Sequence, residues 1–175
     1  MGGHAAGTKG LPGDIHRAGD VIHLLAAGAW LGGLLPLALL YSHARRARDP
    51  AWAAIARVVT LRFSALGITS VAAILVTGII NTWILVGSIL KLVGTDYGRV
   101  LLVKVGLFTA MVGIAANNRF RQTPRLVERA NDETKPGMAL CHLQRNCLIE
   151  ASLGLLILVI VGALGIMMPA THAMS

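Results

Sequence analysis

The chain has 175 residues, of which 55% are hydrophobic and 14% are charged, and its mean hydropathy is +0.68. A soluble domain of this composition would have too little polar surface to stay in water. The net charge of +8 would suit a nucleic-acid partner, but the basic residues lie at the ends of apolar segments without interleaved aromatic residues, which argues against nucleic acid.

Four apolar segments are long enough to cross a bilayer, which needs about 20 helical residues at about 1.5 Å per residue. They run from about 21 to 40, 63 to 86, 100 to 116 and 148 to 168. We therefore predict an all-α polytopic membrane protein, a bundle of four transmembrane helices over residues 20–169, with tails at 1–19 and 170–175. The first tail lacks an apolar stretch, so no cleavable signal peptide is predicted.

Basic residues predict the orientation of these helices in the membrane. Two loops, after the first and third segments, hold eleven of the 16 Lys and Arg residues: Arg45, Arg46, Arg48, Arg57, Arg62, Arg119, Arg121, Arg125, Arg129, Lys135 and Arg145. Cytoplasmic loops are enriched in such residues, which also contact anionic lipids. We expect a multi-pass protein of the bacterial inner membrane with both termini on the periplasmic side.

Small residues predict where the helices approach one another, because close backbone contact drives association in lipid. The first segment offers Gly28 and Gly32, with Gly33 beside them, and the fourth offers Gly154. Cys141 and Cys147 fall on the predicted cytoplasmic side, where thiols stay reduced, so a structural disulfide is not expected. Their spacing around His142 departs from the CxxC form of strong metal sites.

One group of candidate metal ligands gathers at the predicted outer end of the bundle. His23 lies in the first turn of the first segment, and Trp30, seven residues later, shares its helical face. Met168 ends the fourth segment, His172 follows it, and His16 precedes His23 by seven residues. Imidazole and thioether ligands together suit copper, the thioether favouring the reduced ion. The alternative is that His23 is only hydrogen-bonded and that the methionine contacts lipid.

The remaining ionisable residues of the segments suggest pairs. Glu150 lies near the cytoplasmic boundary together with Arg62 and Arg119, which predicts a structural ion pair between Glu150 and one of these arginines. Lys104 lies about one turn inside the outer end of the third segment, where its long stem can reach the interface. Asp96, in the middle loop, is a possible partner of Lys104.

Several short motifs occur in a fixed order along the chain. They are His23 with Ala26 to Leu34, Arg62-Phe63-Ser64, Thr77-Gly78 with Asn81, Thr95-Asp96-Tyr97-Gly98-Arg99 with Leu101 and Lys104, Asn118-Arg119, Arg145 with Glu150, and Pro169 with His172. In order and spacing, from about Arg17 to His172, they resemble the copper resistance D (CopD) family of membrane proteins.

The resemblance implies copper transport or transfer across the inner membrane, often beside a periplasmic copper-binding partner of the CopC type. It implies that His23 and His172 are outer copper ligands, and we expect Trp30, Asn81 and Lys104 to line or gate the pathway. Many members have roughly twice as many spans, and this chain matches their carboxyl-terminal half. A homodimer or a paired membrane subunit is therefore expected to complete the pathway.

Two alternatives compete with copper transport. The first segment also resembles the HemJ protoporphyrinogen oxidases, small four-span proteins with a similar pattern of His, Trp and Gly that ends near Tyr41 and His43. That resemblance implies an enzyme with haem b, whose two axial imidazoles must face each other at comparable depth. The other alternative is a non-catalytic subunit that stabilises a larger copper-handling complex.

Overall fold

The computed structural model describes residues 11–47, 49–86, 93–124 and 136–166, and these residues form helices and contain no strand. Helix α1 spans Leu11–Ala47, α2 Pro50–Val86, α3 Asp96–Asn117 and α4 Pro136–Ile166, and α3 continues into a π-helical turn at Asn118–Gln122. Each of the four helices is long and apolar enough to cross a membrane. The predicted all-α bundle of four spans is confirmed.

The helices extend beyond the apolar segments that predict them. Helix α1 begins at Leu11, inside the predicted tail, and α2 begins at Pro50, inside the predicted loop. The Asp49 side chain accepts a hydrogen bond from the Ala51 amide at 2.8 Å, which caps α2, and proline suits the first helical position. Apolar runs mark only the roughly 30 Å hydrocarbon core, whereas the interfacial layers bring the bilayer to about 40–45 Å.

Helix α1 is the centre of the bundle. It packs extensively against α2 and α4, and α4 packs against α3, whereas α2 and α3 barely touch. The buried face of α1 consists of Trp30, Leu34, Leu37, Ala38, Tyr41 and Ala44. The order of packing is therefore α2, α1, α4, α3, with a gap between the outermost two helices.

Close helix packing depends on two glycines in particular. A Cβ atom at Gly33 would collide with the Phe63 ring of α2, and one at Gly154 would collide with the Leu31 side chain of α1. Gly28 and Gly32 do not form a comparable contact, since no described atom outside their own segment would lie within 4 Å of an added Cβ at either position. The close contact of α1 with α2 thus occurs at Gly33, the residue next to Gly32.

Candidate functional site

A cavity of about 420 Å³ lies between α2 and α3, at the end of the bundle that holds the first turns of α1. We call it the His23 cavity. Its lining comes from all four helices: His23, Ala27, Trp30, Leu31, Ile74, Leu75, Gly78, Ile79, Thr82, Trp83, Leu101, Lys104, Val105, Phe108, Met111, Gly154 and Ile157. Most of these side chains are apolar, so His23 and Lys104 are the ionisable groups that reach it.

The hydrogen bonds of His23 determine its tautomer. Its Nδ1 lies 2.8 Å from Oγ1 of Thr77 on α2. The Thr77 hydroxyl has a single proton, and it donates to the Ala73 carbonyl oxygen at 2.6 Å. The hydroxyl oxygen must therefore accept from Nδ1–H, which leaves the lone pair of neutral His23 on Nε2. An imidazole fixed in this way by its other nitrogen is the usual state of a metal-binding histidine.

Charged and polar side chains surround His23 at this end of the bundle. Lys104 lies within electrostatic reach of His23 and of Asp20, while Asp96 forms a surface ion pair with Arg99 at 3.6 Å. Lys104 therefore turns to the cavity rather than to the predicted partner.

Asn81, predicted to line the pathway, is not among the residues that line the cavity. Its Nδ2 donates to Oδ1 of Asp20 at 2.7 Å. Its Oδ1 is buried and lacks a hydrogen-bond partner within the described part of the chain. Asn81 thus ties the end of α2 to the first turns of α1, beside the cavity, and it retains an unused acceptor.

Trp30 separates the His23 cavity from a second one. The side chain is 2% exposed, and its ring meets Phe108 edge to face, with centroids 6.2 Å apart. On the far side of Trp30 lies a cavity of about 180 Å³, which we call the Glu150 cavity. Among the residues that the structure describes, Trp30 alone lines both cavities, so its indole ring forms the partition between them.

The Glu150 cavity has a more polar lining, supplied by all four helices. Its polar members are Tyr41, Thr60, Ser64, Asn118, Arg119, Thr123, Cys147 and Glu150. Tyr41 and Thr60 share a buried hydrogen bond of 2.8 Å between their hydroxyl groups. This cavity lies at the end of the bundle where the two basic loops attach, so the bundle has one cavity toward each end.

Glu150 pairs with an amide rather than with an arginine. Its Oε1 accepts from Nδ2 of Asn118 at 2.8 Å, and Oδ1 of Asn118 accepts from Nδ2 of Asn146 at 2.6 Å. Arg119 donates instead to Oγ of Ser64 at 2.5 Å, and Arg62 is exposed. The structure therefore replaces the expected ion pair with a chain of neutral donors.

Several predicted ligands fall outside the described structure. Met168 and His172 lie outside the described residues, and of His16 only the backbone, within α1, is described. Of the other histidines, His43 is exposed and meets the Trp52 ring edge to face at 4.3 Å, and His142 is exposed on α4. Among the side chains that the structure describes, His23 has no second imidazole across its cavity, so no bis-histidine haem site is formed by them.

Two features of the site escaped the sequence interpretation. Thr77 was part of a motif without a role, because a threonine in a helix normally satisfies its hydroxyl on its own backbone. Met111 is fully buried and lines the His23 cavity, but a single methionine in an apolar segment resembles packing. Thr77 and Met111 could have been identified by their position across from His23 on neighbouring helices. That position is known only once it is known which helices pack together.

The sequence of the chain is similar to a known protein family and to several known proteins. The model of the family described as "Copper resistance protein D" matches residues 57–164. The chain is 30% identical to copper resistance protein D of Pseudomonas syringae pv. tomato over 172 residues, covering 98% of this chain and 55% of that protein. It is 32% identical to inner membrane protein YebZ of Escherichia coli K12 over 167 residues, covering 95% and 54%.

A third relative matches a shorter stretch. The chain is 38% identical to copper transport protein CutJ of Bacillus subtilis 168 over 99 residues, which covers 55% of this chain and 17% of that protein. The chain thus spans about half the length of the first two relatives and a smaller part of the third. No solved structure matches it significantly.

Proposed function

The chain belongs to the copper resistance protein D family, and on that premise we propose that it transfers copper across the bacterial inner membrane, with capture of the ion in the His23 cavity. Relatives named for copper resistance and for copper transport support copper as the cargo, and a relative named as an inner membrane protein supports the location. The observation that carries the proposal is the hydrogen bond between Nδ1 of His23 and Thr77, which leaves the lone pair of the neutral ring on Nε2.

Capture uses His23 as the first ligand. Its Nε2 presents a lone pair because Thr77 holds the proton on Nδ1. His16, Met168 and His172 are proposed as further ligands on the grounds of their sequence positions and of thioether affinity for Cu(I). A site of two or three ligands suits transfer, because the ion must be bound strongly enough to be captured and weakly enough to leave.

Onward movement requires the ion to pass Trp30. The indole closes the His23 cavity toward the Glu150 cavity, so we assign it the role of a gate. Lys104 is proposed as a gating charge, because its ammonium group in the cavity lining repels a cation that enters the cavity. Asn81, whose Oδ1 lacks a partner among the described residues, is proposed to stabilise the mouth of the pathway.

The proposed pathway also includes partner proteins on the periplasmic side and within the membrane. Both termini are proposed to face the periplasm, where a copper-binding protein of the CopC type would deliver the ion. Since the chain matches about half of its longer relatives, a second copy or a paired membrane subunit is proposed to cover the gap between α2 and α3. Lipid covers the apolar outer surfaces of the four spans.

The test is the metal content and visible absorbance of the detergent-purified chain, titrated with Cu(I) and with Cu(II). We expect wild-type protein to bind copper and a His23→Ala, His172→Ala double variant to lose the ion that is held at His23. His142→Ala is the matched control, because His142 is exposed on α4 and does not line the His23 cavity; it should bind like wild type.

The other outcomes oppose this proposal. A Soret band without bound copper would favour the haem oxidase. Absence of both signals would favour the non-catalytic subunit. Equal copper binding by wild type and the double variant would remove His23 from the mechanism.

A further inference from the structure

The Glu150 cavity contains a pair of potential ligands on one helix. Cys147 and Glu150 are at positions i and i+3 of α4, so they lie on the same face of the helix. Both side chains line the cavity, and both are almost completely buried, with exposures of 3% and 2%. A buried thiol and a buried carboxylate therefore line the same cavity within a membrane span.

Glu150 has no cationic partner among the described side chains. Its one hydrogen bond comes from the neutral amide of Asn118, and Asn146 supports that amide from the same helix. Buried carboxylates are normally paired with a charge or bound to a metal ion, and an ionisable group inside a span usually marks a pathway. The buried carboxylate of Glu150 could therefore bind a cation in this cavity.

We propose that the Glu150 cavity is a second copper station, in which Cys147 Sγ and the Glu150 carboxylate bind one Cu(I) ion after it has passed Trp30. The proposal rests on the proposed copper transfer and adds a receiving site to it. The thiolate is the preferred ligand of Cu(I) and neutralises its charge, and the carboxylate is the second, weaker ligand. The station lies at the end of the bundle where the basic loops attach, opposite the His23 cavity.

The binding step is balanced in atoms and charge. The S–H bond of Cys147 breaks, an S–Cu bond forms, and the proton leaves to the aqueous phase at the end of the bundle where the basic loops attach. One monovalent cation thus replaces another, so the net charge of the cavity does not change.

Cys141 provides an internal control, because it is the other free cysteine and is exposed. The test counts the Cu(I) ions bound per chain in four detergent-purified full-length proteins: wild type, Cys147→Ser, Cys141→Ser and His23→Ala. We expect Cys147→Ser to bind one ion fewer than wild type and Cys141→Ser to bind the same number. His23→Ala should lose a different ion and retain the one that depends on Cys147.

A second measurement covers the case in which Cys147→Ser does not fold. In Cys141→Ser protein, Cys147 is the sole thiol, and Cu(I) should slow its alkylation by N-ethylmaleimide. Full copper binding by folded Cys147→Ser, or alkylation of Cys147 at the same rate with and without Cu(I), would overturn the second station while leaving capture at His23 intact. If His23→Ala instead binds as many Cu(I) ions as wild type, the proposed function is overturned.

Discussion

Thr77 decides which nitrogen of His23 faces a ligand. The threonine donates to its own helix at Ala73 and accepts from Nδ1 of His23, so the neutral ring keeps its lone pair on Nε2. The ring also packs close to the backbone of α2, because Cε1 of His23 would lie 3.6 Å from a Cβ added at Gly78. The orientation of the proposed ligand is thus built into the α1 contact with α2.

Replacing Thr77 with valine tests this role. The substitution removes the acceptor of Nδ1–H while keeping the shape, and loss of such a supporting hydrogen bond typically lowers metal affinity by about 10–100-fold. We expect a drop of that size in Cu(I) affinity, measured by competition with a chelator. Thr69→Val is the matched control, because Thr69 on the same helix is exposed and bonds only to its own backbone; it should bind like wild type. Equal affinities in the two variants would contradict the role of Thr77.

The sequence could predict some of these residues and not others. His23 was predictable, because an ionisable residue at the end of an apolar span is uncommon and its depth follows from counting. The partner of Glu150 was not predictable. Asn118 and Arg119 are adjacent and point about 100° apart around a helix, so a small change in register decides which of them faces Glu150. The π-helical turn that begins at Asn118 alters this register, and the sequence carries no signal for it.

Elements show the same division between predictable and unpredictable features. The four spans follow from apolar length alone, but the ends of α1 and α2 do not, because their polar turns continue the helices beyond the hydrocarbon core. The glycines illustrate a finer limit. Gly28 and Gly32 have the spacing of a helix contact, yet Gly33 is the residue that meets Phe63, because the direction of a face depends on how α1 is rotated against its neighbours.

Alanine substitution at adjacent glycines tests the α1 contact with α2. Gly33→Ala places a Cβ against the Phe63 ring, and such overpacking typically costs about 1–3 kcal/mol. We expect a lower thermal unfolding midpoint in detergent. The added Cβ of Gly32→Ala would lie in open space. This variant should therefore be neutral or slightly stabilising, since alanine is a better helix former by about 1 kcal/mol. A larger loss of stability in Gly32→Ala would show that the packing of α1 differs from that described.

The whole molecule is an incompletely closed ring of helices with two cavities in series. The gap between α2 and α3 leaves the rim of the His23 cavity uncovered, as the 76% exposure of Trp83 shows. Four spans predict that both termini lie on the same side of the membrane, and the basic loops predict that this side is the periplasm. The arrangement of the two cavities was beyond the sequence, because it depends on which helices touch.

Trp30→Ala tests whether the two cavities form one route. Removal of the indole joins them, so we expect copper flux into proteoliposomes to rise several-fold while copper binding at His23 is retained. Trp83→Ala is the control, because Trp83 lies at the exposed rim of the same cavity; its flux should match wild type. Unchanged flux in a folded Trp30→Ala variant would contradict the gate.

Capture of copper by His23 is the central claim, and X-ray absorption at the copper edge tests it most directly. The measurement compares wild type, His23→Ala and His142→Ala, each loaded with one equivalent of Cu(I). The account predicts imidazole nitrogen scattering at about 2.0 Å, the distance typical of histidine bound to a metal, in wild type and His142→Ala, and its loss in His23→Ala. The same imidazole signal in His23→Ala would contradict the account.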